Sequence, residues 1–347
     1  MLNRILVPLD GSALAESALP VAARLARATS GTLLLVRAFQ AVPTEFSPMI
    51  GAGSAGGDER EASAYLARVR ERDDLRQFAV ETVALGGAVA RAIVDATAAY
   101  HADFIVLTTR GRSGVTRRTL GSVAEHVARE APVPVLVLRG AADELRPPAA
   151  DPGCVWRAVI GLDGSAQAEQ VLRPAAQLLR TLSGAATAEL ALVRIIGLPA
   201  YSERARATSL PEAARDLERR SAGMHAYLRS AAERLLGEER DWAGLVVRWA
   251  VIEAQDDAWG LIVAAEHPER IAWRTPTEGA TPLPAAALCR GTTLLALAMP
   301  GGSDRQRWTD SGVIGRALED TALPVLLVSQ PSSTPPPQPP PPDARLT

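Results

Sequence analysis

The chain contains no lysine: all 37 of its basic residues are arginine, set against 39 acidic residues. That absence excludes a Walker A lysine, a Schiff-base lysine and a lysine general base. The net charge of −2 leaves no electrostatic footprint for nucleic acid or an anionic membrane surface. Two cysteines, Cys154 and Cys289, show no CxxC spacing and supply no disulfide framework, so they are expected to be small buried hydrophobes in a reducing compartment. The four histidines, His101, His126, His225 and His267, lack metal-ligand spacing. Asn3 is the only asparagine; heat adaptation and a GC-rich coding bias both produce that pattern, so it decides nothing. No stretch approaches the roughly 18 apolar residues of a membrane span. The apolar segment Ile5 to Leu9 is too short for the core of a signal peptide. The expectation is a soluble, cytoplasmic protein with no nucleic-acid or membrane partner.

What is present is a repeat. Asp10 to Gly31 (DGSALAESALPVAARLARATSG) aligns without gaps with Asp163 to Gly184 (DGSAQAEQVLRPAAQLLRTLSG), and 13 of these 22 positions are identical. After a four-residue slip, LLLVRAF (33–39) faces LALVRII (190–196), which sets Val36 against Val193. A later stretch aligns DFIVLTTRGRSG and APVPVLVL with LLALAMPGG and TALPVLLV. The 347 residues therefore read as a tandem duplication. The expected organisation is a first domain over 1–140, a linker over 141–154, a second domain over 155–330 with an insertion near 265–288, and a proline-rich tail over 331–347. That tail favours an extended, disordered segment or a docking peptide.

Each copy alternates strand and helix. In the first, ILVPL is a buried strand, Asp10-Gly11-Ser12 a turn with Ser12 as helix cap, and Leu14, Ala18, Val21, Ala22 and Leu25 recur at helical spacing up to Ser30-Gly31. Strand TLLLVRAF, a Gly/Pro/Ser loop over 41–57, a charged helix from Asp58, strand FAVETVAL, helix AVARAIVDATAAY, strand DFIVLTT, helix LGSVAEHVAREA and strand VPVLVL complete the unit. Runs such as FIVL, apolar on both faces, indicate a parallel sheet covered on both sides. The fold class is α/β: two doubly wound, Rossmann-like, five-stranded parallel-sheet domains in tandem, each an α/β/α sandwich.

Open α/β sheets bind ligands beyond the carboxyl ends of their strands, where the winding reverses. Asp10 and Asp163 stand at that end of the first strand of each copy. A carboxylate there could accept hydrogen bonds from adenine or ribose, hold a metal ion, or cap the next helix. A second feature is the loop Thr108 to Gly114 followed by Gly121-Ser122 at the mouth of a helix. Glycine backbone, the helix N-terminus, the Ser122 hydroxyl and Arg110 or Arg112 would have to hold an anion there, in the absence of lysine. The spelling GxGxxG at Gly51 to Gly56 follows no strand, and Pro300-Gly301-Gly302-Ser303-Asp304 follows a late strand, so neither is read as a phosphate loop. His126, four residues after Ser122, has no third partner for nucleophilic catalysis.

These residues resemble those of the universal stress proteins, in the tandem form with two such domains in one chain. Nucleotide-binding members of that family carry a glycine, two residues, a glycine, nine residues, then Gly-Ser or Gly-Thr. Here Gly111, nine residues and Gly121-Ser122 fit, while Thr108 replaces the first glycine. The opening VPLDGS matches the family's first-strand signature at Pro8 and Asp10, and Val36 falls at its adenine-facing position. The resemblance implies that the first copy binds ATP. Pro8, Asp10 and Val36 would lie near adenine and ribose, Thr108, Gly111, Gly121 and Ser122 at the phosphates, and Asp10 near a magnesium ion carried by the nucleotide.

The second copy keeps Asp163 and Val193 but has Gly161 for the proline. Its loop reaches Gly301, nine residues, then Ser311-Gly312 with the Gly-Ser order reversed, and Trp308 and Asp310 add bulk and negative charge. Its site is expected to be weakened or lost. The function implied is a non-catalytic, ATP-binding regulator of the stress response; the alternatives are a slow ATPase, for which no general base is visible, and a scaffold that acts by pairing. By the same resemblance the last strands, 133–138 and 323–328, would pair as an internal pseudo-dimer, with a homodimer also open. Five of the six tryptophans lie beyond residue 240, as expected of a different core or an interface in the second copy.

Overall fold

The computed structural model describes residues 2–40, 53–109, 121–140, 145, 154–184, 186–197, 210–238, 242–276, 292–299 and 312–329. The chain divides into two compact units, Met1–Glu144 with Leu327–Thr347, and Leu145–Leu326. Gly111, Gly301, Ser311, Arg110, Arg112, Trp308, Asp310, Cys289 and the proline-rich tail lie outside the described residues.

The first unit runs β1 (Arg4–Pro8), α1 (Ala13–Glu16), α2 (Leu19–Thr29), β2 (Thr32–Phe39), α3 (Gly53–Arg70), β3 (Ala79–Gly86), α4 (Val89–Ala99), β4 (Phe104–Thr108), α5 (Ser122–Glu130) and β5 (Val135–Leu138). Its strand order is β3-β2-β1-β4-β5, and each of these neighbouring pairs is parallel. Ile5, Leu6, Val7 and Leu33 to Val36 have no exposed surface. Strands apolar on both faces need helices on both sides of the sheet, as the sequence predicts. The winding reverses between β1 and β4.

One helix expected over residues 13–29 is two. Pro20 has no N–H to donate to the carbonyl of Glu16, so the first turn ends at Glu16 and a new helix starts at Leu19 with the proline in its opening turn. The charged helix begins at Gly53, five residues before the expected Asp58.

The second unit repeats the plan with β6 (Trp156–Gly161), α6 (Ala166–Glu169), α7 (Leu172–Ser183), β7 (Ala188–Gly197), α8 (Leu210–Glu238), β8 (Leu245–Ala254), α9 (Asp257–Glu266), β9 (Thr293–Ala298), α10 (Val313–Asp320) and the first half of β10 (Val325–Val328), within which the division between the units falls. Its order is β8-β7-β6-β9-β10. The residues after α9 form a 3-10 turn, Pro268–Arg270, and then bring Arg274 alongside edge strand β8. There Trp249 and Arg274 exchange two backbone hydrogen bonds, 3.0 and 2.8 Å long. Part of the insertion thus covers backbone groups that an edge strand otherwise leaves open.

Trp156, Trp242 and Trp249 are core residues, whereas Trp259 is 61% exposed. Cys154 is buried, but it is disulfide-bonded. The expectation of two small buried hydrophobes is therefore corrected, and cysteine usage offers no support for a reducing compartment.

Candidate functional site

In each unit the residues after the first strand build the same turn. Gly11 and Gly164 have φ of +88° and +91°, a backbone conformation that other residues adopt only under strain. Behind each glycine the aspartate folds back: Asp10 Oδ1 accepts from the Ser12 N–H, and Asp163 Oδ1 from the Ser165 N–H, both at 2.8 Å. Ser12 Oγ then accepts from the Ala15 N–H at 3.1 Å, and Ser165 Oγ from the Ala168 N–H at 3.0 Å, which starts the helix. The helix caps are therefore Ser12 and Ser165 rather than the aspartates, which instead fold the turn through one carboxylate oxygen.

A brace that sequence inspection missed holds this turn from the α3 side. Arg37, next to Val36 on β2, points to the opposite face of the strand and lies with its guanidinium 4.7 Å over the ring of Tyr65. A Cβ on Gly11 would meet Arg37 Nη1 at 3.5 Å. Tyr65 donates its hydroxyl to Glu16 at 2.8 Å, and Glu16 also accepts from Arg72 at 2.9 Å. The second unit carries the equivalent residues, although the buried Tyr227 hydroxyl, beside Glu169, makes no hydrogen bond among the described residues. Arg194 lies 5.3 Å over Tyr227 and against Gly164, and Arg234 donates to Glu169 at 2.8 Å. Burial first, and then the neighbouring Glu16 or Glu169 carboxylate, pushes both tyrosine hydroxyls well above their ordinary range. The signal existed in the two sequences, but the spacing between copies shifts again between Arg37 and Tyr65, so ungapped comparison does not find it.

The first unit brings Pro8, Asp10, Thr108, Gly121 and Ser122 to the carboxyl edge of adjacent strands β1 and β4, and places Val36 inside β2, beside the end of β1. Pro8 ends β1 opposite Val36, and Thr108 ends β4 opposite Leu138. Gly121 donates its N–H to Thr109 O at 2.8 Å and caps α5 in an extended conformation. A Cβ there would meet the same oxygen at 2.9 Å, closer than real contacts allow, so the close approach requires glycine. Ser122 opens the helix, whose amino end carries a partial positive charge. His126 faces Arg129 at 3.4 Å.

In the second unit a cavity of about 580 Å3 occupies the equivalent edge, between the ends of β6, β7 and β9 and the starts of α9 and α10. Asp163 and Val193 line it. Gly161, in place of Pro8, admits Leu261 and Leu297: a Cβ there would meet Leu261 Cδ1 at 2.8 Å and Leu297 Cδ2 at 3.2 Å. The buried pair Ala317 and Leu318 repeats Val127 and Ala128 of α5, and that phase puts Gly312 where Ser122 stands. The hydroxyl is lost and α10 starts one residue later. Among the described residues no group of three His, Cys, Asp or Glu side chains could hold a metal ion, and no described helix is long and apolar enough to cross a membrane.

The fold is that of a doubly wound α/β protein whose strand order reverses between β1 and β4 in the first unit and between β6 and β9 in the second. The chain belongs to the universal stress protein family, whose sequence profile matches residues 1–139. A universal stress protein of Thermus aquaticus is 33% identical over 147 residues, 40% of this chain and 100% of its own length. One of Methanocaldococcus jannaschii is 29% identical over 144 residues, 40% of this chain and 82% of its own length. Across the full length the fold is similar to that of a universal stress protein from Archaeoglobus fulgidus, with TM-score 0.62 at 15% identity, covering 96% of this chain and 98% of the other.

Proposed function

We propose that the first unit binds an adenine nucleotide, ATP with its magnesium ion, and acts as a non-catalytic regulator in the stress response. The observation that carries this reading is Gly121. The helix start that it caps packs against Thr109 O so closely that a side chain is excluded. This sets the amino end of α5, with Ser122 exposed in its first turn, next to the end of β4, the neighbour of the strand that leads into Asp10. In a chain without lysine, that is how a phosphate would be held. Asp10 supplies a polar contact for the base or ribose, and Pro8 fixes the end of β1, while the Val36 side chain is fully buried behind them. The magnesium ion would neutralise phosphate charge, held through the nucleotide beside Asp10. The domain limits proposed with this reading are 1–140 and 155–330. A scaffold that binds no nucleotide is the competing reading, and Thr108, with a Cβ where the family pattern has glycine, favours it.

The test is calorimetric titration of Mg-ATP into the full chain and into Asp10→Ala and Gly121→Val. The reading expects saturable binding that falls at least tenfold in each variant. Unchanged affinity in both would place the site elsewhere.

A further inference from the structure

The outer face of one helix changes character between the two copies. Helices α4 and α9 each follow the third strand of their unit, and their caps, Ala88 and Asp256, are equivalent: from them the buried residues Ile93, Ala96 and Thr97 match Leu261, Ala264 and Ala265 in phase. Away from the sheet, α4 carries an exposed ion pair, Arg91 with Asp95 at 2.9 Å. The matching positions of α9 are Trp259 and Val263, with Ile262 beside them. Trp259 is 61% exposed, Ile262 and Val263 are half-buried, and no described residue accepts the Trp259 indole N–H. Between Asp257 and Glu266, then, α9 is apolar on both faces, the pattern of a helix that is covered on both.

The chain itself carries a segment suited to that face. Eight prolines lie between Pro331 and Pro342. Such a run favours the polyproline II helix, which presents apolar rings and makes no hydrogen bonds of its own, so its carbonyls stay free to accept. Surfaces that take such a helix are built on exposed aromatic rings, and an indole adds a donor. Pro342 lies sixteen residues beyond Leu326, the last residue of the second unit, and at roughly 3.1 Å per residue that length reaches about 50 Å. A unit of this size has a radius of gyration of about 16 Å, so the run is long enough to return to its surface. We propose that the outer face of α9, centred on Trp259, is the docking surface for the chain's own proline-rich segment, residues 331–342. Proline rings pack on the indole and on Ile262 and Val263, and the indole N–H donates to a carbonyl of the segment. The Arg91–Asp95 pair gives α4 no such surface. The inference does not depend on nucleotide binding by the first unit.

Hydroxyl-radical footprinting, read at Trp259 by peptide mass spectrometry, compares the unmodified chain with a full-length variant carrying Pro→Ser at 335–337 and 339–342. The proposal expects Trp259 to oxidise at least threefold more slowly in the unmodified chain, at a rate that does not change on dilution. A synthetic peptide of residues 331–347 should bind the serine variant saturably and restore the protection. It should bind the unmodified chain at least fivefold more weakly, because the face is already occupied. Trp259→Arg in the serine variant, at an exposed position, should abolish peptide binding without shifting the thermal midpoint by more than a few degrees. Arg91→Ala, at the matching position of α4, should leave it unchanged. The proposal is overturned by equal oxidation of Trp259 in the two chains, by no peptide binding up to millimolar concentration, or by peptide binding that survives Trp259→Arg. Protection that falls on dilution would also overturn it, and would assign the face to a second copy of the chain.

Discussion

Arg37 stacks its guanidinium 4.7 Å above the ring of Tyr65, and the Tyr65 hydroxyl in turn donates to Glu16, on the helix that the Asp10 turn begins. Tyr65→Phe removes that hydrogen bond and leaves Glu16 with Arg72 alone, at an expected cost of about 0.5–1.5 kcal/mol. A double-mutant cycle with Glu16→Gln, read by urea unfolding, should show positive coupling of about 1 kcal/mol or less. Strict additivity would mean that the brace does not act as a unit.

Alkaline titration addresses the same brace. In the folded chain Tyr65 and Tyr227 ionise well above the ordinary tyrosine value, through burial and then the neighbouring carboxylate. Unfolded chains lose these protons near pH 10 while the folded chain keeps them. The stabilisation is therefore complete below pH 10 and is lost as pH rises beyond it. Absorbance of the tyrosinate form should lag behind that of a model peptide and rise together with unfolding; Tyr65→Phe/Tyr227→Phe should remove most of the lag.

A buried ion cluster in the second unit makes a different prediction. Arg157 and Glu189 pair at 2.7 Å with side chains 3% and 0% exposed, and Arg248 approaches the other carboxylate oxygen at 3.8 Å. Trp273, from the residues after α9, lies 5.5 Å from the Arg157 guanidinium. Glu189→Gln leaves two buried guanidinium groups facing each other and should cost about 3–5 kcal/mol. Replacing all three by apolar residues of similar volume should cost much less, or stabilise. Calorimetric melting of the unmodified chain and the two variants distinguishes the cases; a mild effect of Glu189→Gln alone would contradict the burial of the cluster.

The disulfide at Cys154 gives a fourth expectation. Cys154→Ser, or reduction with a dithiol, should lower stability by about 2–4 kcal/mol, the usual worth of such a bond. Equal melting temperatures with and without reductant would argue against the bond.

Much of this was readable before any coordinates. The repeat placed Asp10 and Asp163 at equivalent strand ends, and apolar runs such as FIVL marked strands covered on both faces. Those signals are local, carried by residues adjacent in the chain. What escaped depends on lateral contact. Arg157, Glu189 and Arg248 lie on three neighbouring strands, tens of residues apart, and nothing in their local sequence distinguishes them from solvated charges. The Trp249–Arg274 pairing joins an edge strand to an insertion with no counterpart in the first copy. Cys154 lacked any spacing motif because a disulfide closes across space rather than along sequence. The break at Ser17 and Ala18 was legible in Pro20 but was overridden by the helical periodicity around it.

The account turns on whether the first unit holds a nucleotide. Denaturing the purified full-length protein and assaying the released small molecules by chromatography and mass measurement tests that most directly. The account predicts one adenine nucleotide per chain, or, if the site is empty on purification, a thermal shift on adding Mg-ATP that Gly121→Val abolishes. No released nucleotide together with no shift would contradict it.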